Sequence, residues 1–287
     1  MRSGVKRKQR APSQATPADQ PPARSGHYRG EVALSSRTAV RPPRPTIEWE
    51  VVATAELSPE LVRVTLGGPG FAEFEDRPET DKYVKLKFTG ADAVPVTRTY
   101  TVRRVDHQAR TLDIDFVVHG DEGLAGPWAA GARPGDRISL MGPGGGYRPD
   151  PEADWHLFLG DLSALPAIAA ALAALPTDAV GHAFVEVSSD AAIIPVGAPA
   201  GVEIEWVVDP THEAEALASV LAQFDWPAGV VQVFAHGERE SMKALRRVLF
   251  DQRGLDRGQV SLSGYWARGR TEDRFQAEKR EPIGQIL

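Results

Sequence analysis

No cysteine occurs anywhere in the 287 residues. Within this chain that excludes a disulfide framework, a thiolate-held iron–sulfur cluster and a dithiol relay. Any redox work must rest on a bound organic cofactor, or on a metal held by histidine and carboxylates. Long apolar runs are missing as well: nothing reaches the roughly 18 to 20 continuous apolar residues of a membrane span, and the Ala/Leu stretch at 164 to 175 contains Pro166 and is bounded by Pro176. No span is expected, and a cytoplasmic location follows by default. Lys6-Arg7-Lys8 precedes no hydrophobic run, so a secretory signal is not expected either.

Several motifs are also lacking. The seven histidines show no His-Glu-x-x-His or comparable ligand spacing, so no metal site is assigned. There is no Gly-x-Ser-x-Gly elbow for acyl transfer, no Gly-x-x-x-x-Gly-Lys-Ser/Thr phosphate loop and no Gly-x-Gly-x-x-Gly dinucleotide fingerprint.

Charge is present but unevenly placed. The net charge is −6, yet the first 45 residues hold ten Lys/Arg against Asp19 and Glu31, leaving 23 basic against 37 acidic residues in the remainder, a net −14. The basic arm is rich in Pro, Ala, Ser and Gln and poor in apolar residues, so residues 1–43 are expected to be a disordered extension without a nucleic-acid partner.

From Thr46 to Tyr147 the pattern is of short alternating runs separated by turn residues: Trp49 to Ala53, Leu61 to Leu66, Tyr83 to Phe88, Thr97 to Arg104, Leu112 to Val118 and Arg137 to Leu140. Six such strands with one brief helical segment predict a small antiparallel barrel over 44–149. From Trp155 the rhythm changes to strands at His156 to Leu159, Ala183 to Val187, Val202 to Val207, Val230 to Ala235 and Val260 to Tyr265. Helices are expected between them at Ser163 to Leu175, Glu213 to Phe224 and Glu240 to Phe250, with a terminal one at Glu272 to Lys279. Alternation of this kind predicts a parallel sheet with right-handed crossovers over 150–287. In such sheets ligands sit beyond the carboxyl ends of the strands. Gly160, Asp161 and Ser163 fall there, as does Glu238. Pro166 belongs in the first turn of its helix, so the loop before it is expected to present free backbone donors to a dinucleotide; a plain strand-to-helix turn would look the same.

The barrel half carries the strongest local signal, Arg98-Thr99-Tyr100-Thr101. Strand parity places Arg98 and Tyr100 on one face and Thr99 and Thr101 on the other. A guanidinium beside a flat phenol suits a ligand with phosphates and a planar ring, because one forks onto phosphate oxygens and the other stacks. An ordinary strand face would contain the same pair. Three runs downstream add weight: Asp115-Phe116-Val117-Val118-His119-Gly120, then Gly126-Pro127-Trp128-Ala129 opening a helix, then Gly142-Pro143-Gly144-Gly145. Glycines let main-chain donors approach an anion, and a helix opening just after them adds its own.

Taken together, and with Gly160-Asp161-Leu162-Ser163-Ala164-Leu165-Pro166 and Gly264-Tyr265-Trp266 through Asp273, these runs resemble the siderophore-interacting proteins, flavin-dependent ferric-siderophore reductases of the ferredoxin-reductase-like superfamily. The resemblance covers about residues 44 to 280. It implies an FAD-binding barrel followed by an NAD(P)H-binding α/β domain, with FAD at Arg98, Thr99, Tyr100, Thr101, Phe116, Val118, His119, Gly126, Trp128 and Ala129. The donor is then expected at Gly160, Asp161, Ser163 and Glu238, with Trp266 near the flavin ring. Between NADH and NADPH the residues conflict.

A ferric siderophore is the implied substrate, and many are anionic, so Lys82, Lys85, Arg268 and Arg270 are candidates for its binding. The cofactor carries the redox chemistry, and no catalytic acid or base is assigned. A monomer without a membrane span is expected, with ferredoxin an alternative donor. Two other functions share this architecture: a generic NAD(P)H:flavin or ferredoxin-linked electron-transfer enzyme, and a non-enzymatic flavin- or siderophore-binding module. The flavin reading expects a cavity beside the Tyr100 phenol and an Arg98 guanidinium free of protein carboxylates.

Overall fold

A computed structural model describes residues 45–90, 93–118 and 123–287, and the chain from Pro43 onward forms one unit. The basic extension and His119 lie outside the described residues.

Six antiparallel strands close into a barrel in the order β1-β2-β5-β4-β3-β6. They are β1 (Ile47–Ser58), β2 (Leu61–Gly67), β3 (Tyr83–Thr89), β4 (Pro95–Asp106), β5 (Thr111–Val117) and β6 (Arg137–Gly144), with α1 (Ala125–Gly131) between the last two. Closure follows from the alternation. Val51, Val64, Leu66, Val84, Leu86, Leu112, Ile114, Phe116 and Leu140 all point inward and are fully buried, while their neighbours in sequence face outward. The observed strands outrun the expected ones at β1 and β6. β6 continues through Gly142-Pro143-Gly144 because glycine at 144 lets it cross Tyr83; a side-chain carbon there would lie 2.5 Å from the Tyr83 ring.

The remainder is a five-stranded parallel sheet in the order β11-β10-β7-β8-β9. Its elements are β7 (Trp155–Asp161), α2 (Leu165–Ala174), β8 (Val180–Val187), β9 (Gly201–Val208), α3 (Ala216–Gln223), β10 (Val231–Glu238), α4 (Arg239–Arg246), β11 (Val260–Trp266) and α5 (Glu272–Glu278). β7 and β10 are apolar on both faces because α2 covers one and α3 with α4 the other. The helices are shorter than the periodicity predicts. α4 gives way at Arg247–Gln252 to a π-helical turn, and α3 begins only after His212 takes a positive φ of 53°.

Barrel and sheet share one core. Leu61 and Tyr147 of the barrel half pack in the same apolar cluster as Phe158, Leu165 and Ile168, and α2 lies against β4. Tyr147 donates to Gln232 Oε1 at 3.2 Å, and Ser188 Oγ bonds the Glu60 carboxylate. The carboxyl ends of β7, β10 and β11 are thereby brought to the flank of β4. No helix among the described residues is long and apolar enough to cross a membrane.

Candidate functional site

β4 is the organising element of the barrel site. It pairs with β3 along Pro95–Thr101 but with β5 only from Val102 onward, after which a bulge intervenes. Val102 N–H donates to Lys82 O at 2.8 Å. By the alternation of an antiparallel ladder, the amides of Thr99 and Thr101 therefore face away from β3, into the gap beside β5. Arg98 stands opposite Leu86 and Tyr100 opposite Val84, so both lie on the barrel's core-side face as parity requires.

An aromatic ledge continues from Tyr100. Its ring sits 4.4 Å from Phe116, which is 5.6 Å from Trp128, which meets Phe88 edge-on at 5.7 Å. Burial raises the Tyr100 phenol pKa, keeping it neutral. Phe116 and Ala129 are wholly inside the core and so shape the ledge from beneath; Tyr100 and Trp128 are half-buried and supply its surface. Gly126 lets α1 begin close against β5, since a side chain there would meet Val117 O at 3.4 Å. Val118, half-buried, donates its N–H to Glu60 O.

The expected open surroundings of Arg98 are not what the structure holds. Its guanidinium faces two carboxylates of α5, Glu272 at 3.9 Å and Asp273 at 3.4 Å, and Glu272 also accepts from Thr99 N–H at 3.1 Å. Two clefts stand out on the described surface, of about 510 and 400 Å³; one is lined by Gly67, Gly68 and Arg110, the other by Lys243, Arg246 and Leu287, and neither touches Arg98 or Tyr100. The missed partner is α5, which is legible in the sequence as a helix but not as a lid on this strand. The donor set still fits FAD. A guanidinium and a main-chain amide already holding carboxylates are anion receptors, and the half-buried ring beside them suits a flat heterocycle.

At the sheet's carboxyl edge, Asp161 is the hub. Its Oδ1 accepts from Ser163 N–H at 2.9 Å, Ser163 Oγ at 2.5 Å and Ala164 N–H at 3.3 Å, and its Oδ2 accepts from Glu238 N–H at 2.9 Å and Trp266 Nε1 at 2.8 Å. The donors that sequence leaves free after Gly160 are thus taken up by Asp161 itself. Gly160 must be glycine, because a methyl would lie 2.6 Å from His236 O. Glu238 is likewise committed. It caps α4 through Glu240 and Ser241 N–H and accepts from Arg268 N–H at 3.0 Å.

Glu186, at the end of β8, is buried close to Asp161, Asp209 and Glu238, with His212 Nδ1 at 3.4 Å. Burial first, then those neighbouring carboxylates, raises its pKa to about 7. Trp266 is exposed, with the Arg268 guanidinium 5.9 Å over its ring.

The proposed substrate cations separate into those paired with a carboxylate and those without such a pair among the described residues, Arg268 of the latter donating instead to Thr211 O at 3.4 Å. Lys82 is paired to Asp76 at 2.6 Å and Arg270 to Glu278 at 2.8 Å, so neither is a free cation as expected. Lys85 is exposed on the outer face of β3 and has no ion pair among the described residues, and Arg268 is exposed beside Trp266.

A closed six-stranded antiparallel barrel joined to a five-stranded parallel sheet, with α2 of the sheet half packed against β4, defines the ferredoxin-reductase-like class of fold. A family model described as the siderophore-interacting FAD-binding domain matches residues 50–94 and 89–147, and one described as siderophore-interacting protein matches 153–269. The chain belongs to the siderophore-interacting protein family, and its barrel is that family's FAD-binding domain.

Among curated relatives, an uncharacterized protein of Mycobacterium tuberculosis is 45% identical over 83% of this chain and 96% of its own length. The ferric vibriobactin reductase of Vibrio cholerae is 36% identical over 78% of this chain and 90% of its own. A crystal structure of a siderophore utilization protein from T. fusca superposes with a TM-score of 0.72 at 38% identity, covering 80% of this chain and 95% of that one. The wider fold is shared with a ferredoxin NADP+ reductase of Neisseria gonorrhoeae, at TM-score 0.59 and 15% identity over 77% of this chain and 99% of that one.

Proposed function

We propose that this chain is a reductase that uses FAD to pass electrons from NAD(P)H to a ferric siderophore, releasing ferrous iron, and that it works in the cytoplasm as a monomer. The observation that carries the reading is the packing of β4 against α2, the helix that opens directly behind the Gly160–Ser163 loop. It sets the strand of Arg98 and Tyr100 beside the sheet edge where dinucleotides dock in parallel α/β folds.

In this reading Arg98 would hold the pyrophosphate, the amides of Thr99 and Thr101 would offer donors to the ring, and Tyr100 and Trp128 would supply its apolar surface. Asp161 keeps the Gly160 loop, Glu238 and Trp266 in fixed relation at the donor edge. FAD, when bound, accepts two electrons together and releases them singly, which is what joins a hydride donor to a one-electron iron acceptor. Ferrous iron is held far less tightly than ferric iron by catecholate or hydroxamate oxygens. Lys85 and Arg268 remain as the cations for an anionic substrate.

The family name and the relative named ferric vibriobactin reductase support this reading over a bare electron-transfer enzyme or a binding module. The test is anaerobic. Purified protein should be yellow, NADH or NADPH should bleach it, and a ferric siderophore should restore the colour. A colourless protein that no added FAD colours would overturn the reading; a yellow one bleached only by reduced ferredoxin would replace the nicotinamide donor.

A further inference from the structure

α5 has two ends with different attachments. At its carboxyl end Glu278 is buried and accepts from three guanidinium groups, Arg239 at 2.6 Å, Arg270 at 2.8 Å and Arg274 at 3.0 Å. These hold its pKa down to about 2. Phe275 is buried beside it, against Gly264 of β11. At the amino end Thr271 caps the helix through Arg274 N–H, and Glu272 and Asp273 extend to β4.

This second attachment has few contacts and reaches water. The Glu272 side chain is 22% exposed and that of Asp273 72% exposed. Their partners are Arg98 and the Thr99 amide, which are the donors that an anionic, ring-bearing cofactor would use on this strand. Glu272 lies close enough to Tyr100 to raise its phenol pKa further, by carboxylate repulsion added to burial. The carboxylate therefore borders the ledge itself as well as the guanidinium.

We infer that Glu272 and Asp273 form an internal carboxylate gate, which occupies the anion-binding donors of β4 in the flavin-free chain and must swing away, with α5 still anchored by Glu278, for FAD to bind. The inference rests on the assignment of Arg98 and Tyr100 to the flavin site. Its physical basis is competition. Two carboxylates and a pyrophosphate cannot share one guanidinium at close range, so each displaces the other. The anchored carboxyl end keeps the gate's effective concentration high without making it permanent.

The test compares the flavin-stripped full chain with the Glu272→Gln/Asp273→Asn double variant and with Glu272→Gln alone, all titrated with FAD by isothermal calorimetry and by flavin fluorescence. Removing the competing charge should tighten FAD binding about tenfold in the double variant, equal to about 1.4 kcal/mol, and less in the single one. Hydrogen exchange on the flavin-free protein supplies a second reading from Glu272→Ala, which removes the acceptor: Thr99 N–H should exchange faster in that variant than in the natural chain. Unchanged or weaker FAD affinity in the variants, with the natural chain binding normally, would sink the gate and leave the flavin site standing. Unchanged exchange at Thr99 would also sink it. If no form binds FAD, the flavin site falls and the gate with it.

Discussion

Replacing Gly160 with alanine tests whether the donor edge depends on close contact between neighbouring strands. A methyl built at this position lies 2.6 Å from His236 O, 2.7 Å from Ala164 Cβ and 3.1 Å from Ile168 Cδ1. The isoleucine tip can rotate aside. The other two atoms cannot, because one is main chain of β10, directly opposite in register, and the other is fixed to the start of α2. Relief requires β7 and β10 to part or α2 to lift. Overpacking of this kind costs about 1 to 3 kcal/mol, and the stiffer unfolded chain offsets roughly 0.5 to 1 of that. The net loss is about 1 to 2 kcal/mol, or roughly 2 to 8 °C in Tm for a chain of this size.

The same movement draws Asp161 away from Glu238 N–H and Trp266 Nε1, now at 2.9 and 2.8 Å. KM for the reduced nicotinamide should therefore rise on the order of tenfold while the flavin spectrum stays unchanged. Scanning calorimetry and steady-state kinetics on the yellow protein read the two effects separately. A Gly160→Ala variant that melts with the natural chain and keeps its KM would refute the contact argument.

The geometry sets four further outcomes. Arg98→Ala should weaken FAD binding by at least tenfold in an equilibrium titration, since among the described residues no other guanidinium stands beside Tyr100 on this face of β4. An unchanged affinity would remove Arg98 from the site. Asp115→Asn should cost about 2 kcal/mol in urea unfolding, after discounting for the partial exposure of Arg63, because Asp115 holds that guanidinium through two bonds of 2.6 and 2.8 Å and lies near the half-buried Arg103. A loss below a few tenths would show the pair to be idle. Lys85→Glu should raise KM for an anionic ferric siderophore several-fold, on the order expected for one interfacial charge, and leave kcat and flavin reduction unaltered.

The fourth concerns pH. Glu186 has a folded pKa of about 7, above the 4.5 of a free glutamate, so its contribution to stability is complete below pH 4.5 and is lost as pH rises through 7. His236, sealed in the sheet core, is shifted the other way, to about 3 from 6.5, and its contribution is present above 6.5 and lost as pH falls toward 3. The two oppose each other between pH 4.5 and 6.5. Subtracting the Tm of Glu186→Gln from that of the natural chain at each pH isolates the first. The difference should fall steadily from pH 4.5 to 7, and a flat difference would contradict the buried, carboxylate-crowded setting of Glu186.

Much of this molecule is written locally. Alternating apolar positions such as Val84 and Leu86, or Leu112 and Ile114, suffice to make half-buried strands, and closure of six of them leaves only short unpaired stretches such as the Thr99 side of β4. Strands alternating with helices allow little except a parallel sheet. The shared face of Arg98 and Tyr100 follows from a period of two, and Pro166 marks the start of α2 in the sequence as in the fold.

Side-chain pairing between distant parts of the chain is a different matter. Thr99 and Glu272 are separated by 173 residues, and nothing in either neighbourhood encodes their meeting. It arises because the chain leaves β11 at the flank of the barrel, where the Glu278 anchor turns α5 back across β4. For the same reason Glu238 looks like a ligand-binding acid in sequence and is a helix cap in space, and the amides after Gly160 look free until Asp161 folds back on them. Period and composition act between neighbours and decide which elements form. Which donors stay open to a cofactor depends on what the packed elements bring against them, and that is settled only when barrel and sheet share one core.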